Sequence, residues 1–290
     1  MRWIYIAILF SLVSCEMDIP MEDITFSKKL VINSISTSDS SFDINVSTSA
    51  GTLSEPSAMF NDRIDLQLIR NEDLVYSNSV NVIDGKVKLP LICFPNSKYE
   101  IQIAIDGYPT VRAVDSVPSS SPNFSLVELE KNNSGYELIM NVEDGQMSEH
   151  FLLEVFSIGK EFNGTDSVYA KHPLTFSSND KLFISNIRTV SQQNNFALFS
   201  DNVLQSDTTE FRLFLEKDSL STETFSAEEV VISLSTISNT MFAFYVDILK
   251  NTQVYSGPLS YLTFESGNVE QGLGVFAFRN TSTKVIKLPD

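Results

Sequence analysis

The chain has 290 residues, with 37 acidic against 20 basic side chains and a formal charge of −17. Nucleic-acid binding rests on neutralising phosphates with Lys and Arg, so this balance argues against it, as it does against electrostatic docking on anionic lipid. A hydrophobic content of 42% allows one large or two ordinary domains with sizeable cores.

Met1-Arg2-Trp3 carries one positive charge, and Ile4 to Val13 is apolar apart from Ser11. Such a run is too short to span a bilayer, which needs roughly 20 residues, and fits the apolar region of a secretory signal. Residues 1–14 therefore read as a signal peptide. Leu12-Val13-Ser14-Cys15 resembles a bacterial lipobox. That resemblance implies cleavage before Cys15, a diacylglycerol on its thiol and acylation of the new amino terminus. At ~0.8 kcal/mol per buried methylene, two or more acyl chains anchor a protein stably. Residues 15–27 form an acidic tether resembling the surface-export signals of Bacteroidota lipoproteins; a plain solvated tether is the alternative. Loss of residues 1–14 removes Arg2 and no acid, which leaves 19 basic and 37 acidic side chains and a charge of −18. Lipid, not charge, would hold the protein at a membrane.

Alternation dominates from there. Leu30-Val31-Ile32 supplies an opening strand. Phe42, Ile44 and Val46, then Ile64, Leu66 and Leu68, then Tyr99, Ile101, Ile103 and Ile105 alternate with polar residues or Ala. Period two with β-branched and aromatic side chains predicts strands with one buried face. Ser38-Asp39-Ser40, Asn61-Asp62, Asp84-Gly85 and Asp106-Gly107 mark turns. Six or seven strands in residues 28–118 predict an immunoglobulin-like β-sandwich. Cys93, within Leu-Ile-Cys-Phe-Pro, has no disulfide partner if Cys15 is acylated. Nothing basic beside it would lower its pKa, so it reads as an inert buried thiol.

Val117-Pro118-Ser-Ser-Ser-Pro122 reads as a linker. Residues 119–290 form a second, mainly antiparallel β domain. Its strands include Tyr136 to Val142, Phe151 to Val155 and Phe211 to Leu215, with Val230-Val231-Ile232 buried on both sides. Residues 177–209 read as strands joined by long polar loops. Ile237, Met241, Tyr245 and Ile248 have helical spacing and predict one short helix near 239–250, capped by Ser238 or Asn239 at its start and Asn251 at its end. The fold class is all-β.

Several motifs in order resemble one known family. They are Leu30-Val31-Ile32-Asn33, Arg112 to Pro118 after the strand from Tyr99, His150-Phe151-Leu152-Leu153, the helix from Asn239, and Gly267-Asn268-Val269-Glu270-Gln271-Gly272-Leu273-Gly274-Val275-Phe276. Together these resemble the Bacteroidota lipoproteins of domain-of-unknown-function family 4249 across nearly all of the mature chain. Gly267 stands where a small polar residue is expected, and Gln271 where Gly is common. The resemblance implies an accessory role beside a TonB-dependent outer-membrane transporter, and carries over no catalytic residue.

Chemistry is sparse. Gly272-x-Gly274 lacks the third Gly of a dinucleotide loop and predicts close backbone approach or a bulge. His150 and His172 have no metal-ligand spacing, and no Gly-x-Ser-x-Gly supports a serine nucleophile. Glu143-Asp144 and Glu228-Glu229 are adjacent pairs that point apart on a strand. No Asp-x-Asp-x-Asp loop supports calcium. Asp-Ser or Asp-Thr steps at Ser116, Ser167, Thr208 and Ser219 resemble the O-glycosylation motif of Bacteroidota exported proteins. We therefore expect no catalytic residues, no cofactor and no metal. The expectation is a surface-exposed outer-membrane lipoprotein that serves a TonB-dependent transporter. A stand-alone glycan binder using Tyr255, Tyr261 and Phe264 is the alternative, and a hydrolase is a third reading.

Overall fold

Period-two patterning sends alternate side chains to opposite faces of a strand, and these faces build three sheets. The computed structural model describes residues 28–49, 60–132, 135–143, 149–162, 164, 166–178, 195–201, 204, 208–254 and 266–288. One eight-stranded sheet runs through the molecule. Its order is β11 (Ser167–Pro173), β10 (His150–Phe162), β15 (Phe225–Ile237), β16 (Leu273–Lys287), β1 (Leu30–Thr37), β2 (Ser41–Thr48) and β5 (Lys86–Ile92); β13 (Phe196–Ser200) also pairs β10. A four-stranded sheet orders β4 (Asp73–Asn81), β3 (Arg63–Arg70), β6 (Lys98–Ala104) and β7 (Val111–Ser116). A second orders β12 (Phe176–Ser177), β14 (Thr208–Glu216), β9 (Gly135–Glu143) and β8 (Phe124–Lys131). Two helices are described, α1 (Lys217–Leu220) and α2 (Asn239–Val254). The protein is all-β, with one helix of substance.

The register shows how the layers stack. Ser34 pairs with Phe276 and Ser36 with Phe278 in the parallel β1–β16 ladder. Along the same β16, Ser282, Lys284 and Ile286 pair with Leu234, Ile232 and Val230 of β15. Paired residues share a face, so both small sheets pack on one face of the large sheet. The sheet holding β3 and β6 covers β1 and β2 over a core that includes Phe42, Leu66, Tyr99, Phe276 and Phe278. The sheet holding β9 and β14 covers β10 and β15 over Phe151, Leu153, Phe211 and Ile232. On the opposite face, α2 lays Met241 against Leu152, Leu198, Val275 and Ala277.

Val117 closes the first core before the linker and Phe124 opens the second. The last strand then departs from a sequential division, because Val269, Phe276 and Phe278 return to the first core. Phe278 packs against Phe42 at 6.0 Å and Tyr99 at 5.4 Å, and Phe276 lies edge-on to it at 4.9 Å. Ser34 and Ser36 are buried opposite these rings, small enough to admit them.

The two sandwiches are staggered. Val31 to Thr37 lie beside Leu273 to Arg279, and Ile237 to Glu229 lie beside Arg279 to Lys287. At about 3.3 Å per residue, the second is displaced roughly 23 Å along β16. The chain enters β1 at one end of this axis, and the β10–β11 turn lies at the other.

Three of the four predicted turn steps form turns, while Asn61-Asp62 runs straight into β3. Asp84 and Gly85 both take positive φ, as do Asp39 and Gly107. The helix exceeds its predicted end by a turn and runs through Asn251; the next breaker in the sequence is Gly257-Pro258. The predicted close approach at the Gly pair is present. A Cβ on Gly274, at φ +108°, would lie 2.1 Å from the Ile32 carbonyl oxygen, and Gln271 has φ +58°. Left-handed backbone costs a residue with a Cβ roughly 1–2 kcal/mol. Gln271→Gly should therefore stabilise the fold by about 1 kcal/mol, while Gly274→Ala should cost at least about 3 kcal/mol through backbone collision. Urea unfolding of both variants checks the opposite signs.

Candidate functional site

The polar side chains with the most unusual surroundings gather at the seam where the sandwiches meet under α2. Ser238 caps the helix, its Oγ accepting from the Met241 N–H at 3.2 Å and its carbonyl from the Phe242 N–H at 2.9 Å. Asp115, at the end of β7, reaches this helix start, where a carboxylate is favoured by orphan N–H groups and the helix dipole. Thr240 Oγ1 donates to its Oδ1 at 3.0 Å. Burial raises the Asp115 pKa, opposed by hydrogen bonds from Ser238, the Ser116 N–H and Thr240.

Arg279 crosses the seam on the helix side of the large sheet. Its Nη1 donates to Glu154 Oε2 of β10 at 2.6 Å and its Nε to Thr37 Oγ1 of β1 at 3.1 Å. One guanidinium thus ties both sandwiches. Tyr245 of α2 lies over the pair; burial raises its phenol pKa, and the Glu154 charge adds to that. On the other face, Asn280 accepts from Ser38 Oγ at 2.6 Å and donates to the Pro118 carbonyl at 3.4 Å, which pins the linker.

His150 joins this region from the start of β10. Its ring stacks on Phe242 at 3.8 Å with 8° between planes, and Nδ1 lies 2.8 Å from Ser200 Oγ. Burial lowers its pKa, against the nearby Asp201 charge. A neutral imidazole beside a hydroxyl can accept a proton. Asp201, however, accepts from the Glu149 backbone N–H at 3.0 Å, which turns its Oδ2 to the main chain.

The remaining nominated residues are dispersed. His172 lies on β11, 3.3 Å from Glu161 and edge-on to Phe225. Glu228 binds Lys160 and Tyr169, each at 2.8 Å. Glu143 binds Asn123, while Asp144 lies outside the described residues. Ser116 is exposed opposite Lys98, Ser167 is exposed at the start of β11, Thr208 is exposed at the start of β14, and Ser219 falls in α1. Cys15, Tyr255, Tyr261 and Phe264 lie outside the described residues. Cys93 is buried, and desolvation, helped by Asp39, pushes its thiol up to about 12. Among the described residues, no group of three or more His, Cys, Asp or Glu side chains is placed to hold a metal. The surface carries open grooves. One of about 630 Å³ is lined by Asp62, Arg63, Asp65, Asp106 and Tyr108 near the chain's entry, and one of about 550 Å³ by Lys217, Glu228, Glu229 and Lys287 at the far end.

A family model described as Domain of unknown function (DUF4249) matches residues 15–285. The chain belongs to this family. A search of curated proteins returned no match. In this DUF4249 chain the closing motif has a structural task. Asn268 Nδ2 donates to the Val114 and Phe276 carbonyls and its Oδ1 accepts from the Phe276 N–H, all at 2.9 Å. It clips β7 to β16.

The seam generates a pH prediction. The folded His150 pKa lies below its ordinary 6.5, so the unfolded chain takes up a proton that the native chain refuses. This contribution to stability is complete above pH 6.5 and falls as pH drops through that value toward the folded pKa. Urea unfolding at about pH 7.5 and about pH 5.5 should show a smaller acid loss for His150→Gln than for the parent. Equal losses would contradict the assignment.

Proposed function

We propose that this DUF4249 protein is a lipid-anchored, non-enzymatic partner of a TonB-dependent β-barrel transporter, held at the outer surface of the outer membrane and capturing or guiding its ligand. The observation that carries the reading is the coincidence of two boundaries. The family match begins at residue 15, and residue 15 is the Cys that follows the apolar Ile4 to Val13 run and Ser14. A domain beginning at an acylated Cys needs no electrostatic membrane contact, in keeping with its acidic composition. The architecture supports a binding role, because one continuous sheet carries turns and hairpins far from the start of β1 on a fixed frame.

The test is affinity isolation of the natively lipidated, tagged protein from detergent-solubilised outer membranes. The expected result is a stoichiometric β-barrel transporter, together with incorporation of an alkyne fatty acid that Cys15→Ser abolishes. Recovery of the protein alone, under detergent that preserves known transporter complexes, would overturn the partner assignment and favour glycan capture. Labelling that survives Cys15→Ser would overturn the anchor.

A further inference from the structure

The eight-stranded sheet has two unlike edges. β5 carries Lys86, Lys88 and Pro90 at alternate positions. Lysines and proline on an edge strand discourage another strand from adding to it. β11 lies beside the second half of β10 and has no other strand beside it among the described residues. Its one proline, Pro173, stands at its inner end. Ser167 to Ala170 has none, and Val168 and Tyr169 are 47% and 66% exposed.

This open edge is rigidly mounted. Tyr169 donates to Glu228 at 2.8 Å, and Glu228 also holds Lys160, whose Nζ lies 5.8 Å from the Tyr169 ring centroid. Glu228 has no partner in the β10–β15 register, which passes from Ile158–Glu229 to Gly159–Ala227, so the bulge frees its side chain for this bracket. Gly159 makes the bulge possible, since a Cβ there would lie 2.0 Å from the Ser226 carbonyl oxygen. Phe162, 50% exposed, adds apolar surface at the same tip. The tip lies at the end of β16 opposite the start of β1.

We propose that β11 is a docking edge that takes up an extended, acidic segment of a partner protein as a further strand. A strand suits the site because it alone pairs a row of free backbone groups while packing alternate side chains on Val168 and Tyr169. Acidity follows from Lys171. It makes no ion pair among the described residues, and its Nζ sits 4.0 Å from the Phe156 ring centroid on the open side. An incoming carboxylate would complete it. The inference rests on the partner-binding reading above but not on the identity of the transporter.

The probe is a pair of capped, soluble decapeptides in which Thr and Val alternate with Glu in one and with Lys in the other. Binding is read by calorimetry and located by amide exchange on the full chain, with residues 1–14 replaced by a tag. The Glu peptide should bind at least about tenfold more tightly than the Lys peptide, and slow exchange within residues 167–172. Lys171→Glu, an exposed change that leaves folding intact, should reverse the preference. Lack of binding by either peptide, protection located elsewhere, or a preference unchanged in Lys171→Glu would each overturn the docking edge. Co-purification of a transporter alongside any of these would leave the partner reading standing and remove this edge from it.

Discussion

Everything in this fold depends on the parallel pairing of β1 with β16. Parallel neighbours require a long connection, and here that connection is almost the whole protein. The first sandwich lacks part of its core until Phe276 and Phe278 arrive from the other end of the chain and pack on Phe42 and Tyr99. The strand that delivers them continues past Arg279 to pair with β15. One strand therefore belongs to both sandwiches, and the large sheet passes through the junction without a break.

The seam residues reinforce that shared strand from three directions. Arg279 ties Thr37 to Glu154, Asn280 holds the linker, and Asn268 fastens β7 to the Phe276 backbone. A bidentate Arg112–Glu100 pair on the outer face of the first sandwich, with both contacts at 2.7 Å, holds the Glu100 carboxyl down to about 2. Solvent screening keeps such an exposed pair a small contributor to stability. The partly buried Arg279–Glu154 bridge matters more for geometry, since it crosses β15 over Ser235 and Ser233, whose small side chains leave room.

Local pattern made much of the fold legible. Phe42-x-Ile44-x-Val46 and Tyr99-x-Ile101-x-Ile103 announce half-buried strands, and Asp84-Gly85 announces its turn. β4 was hidden because Ser77, Asn78 and Ser79 dilute its alternation, and β5 because Pro90 argues against a strand unless the strand lies at an edge. The destination of β16 was illegible, because pairing between residues about 240 positions apart leaves no periodic trace. Site residues follow the same division. Gln271 could be flagged where Gly is usual, and its positive φ gives the reason. Asp115 resembled part of a glycosylation motif, yet its carboxylate faces a helix start that only the tertiary fold supplies. His150 gained Ser200 and Phe242 in the same way.

Amide exchange on Phe278→Ala tests the shared-strand account most directly. Truncating a buried Phe costs about 3–5 kcal/mol, and the loss should appear equally in β1–β2 and in β10 if the two sandwiches unfold as one body. Loss of protection confined to residues 30–48, with residues 150–162 unchanged, would mean that β16 joins two units that stand independently.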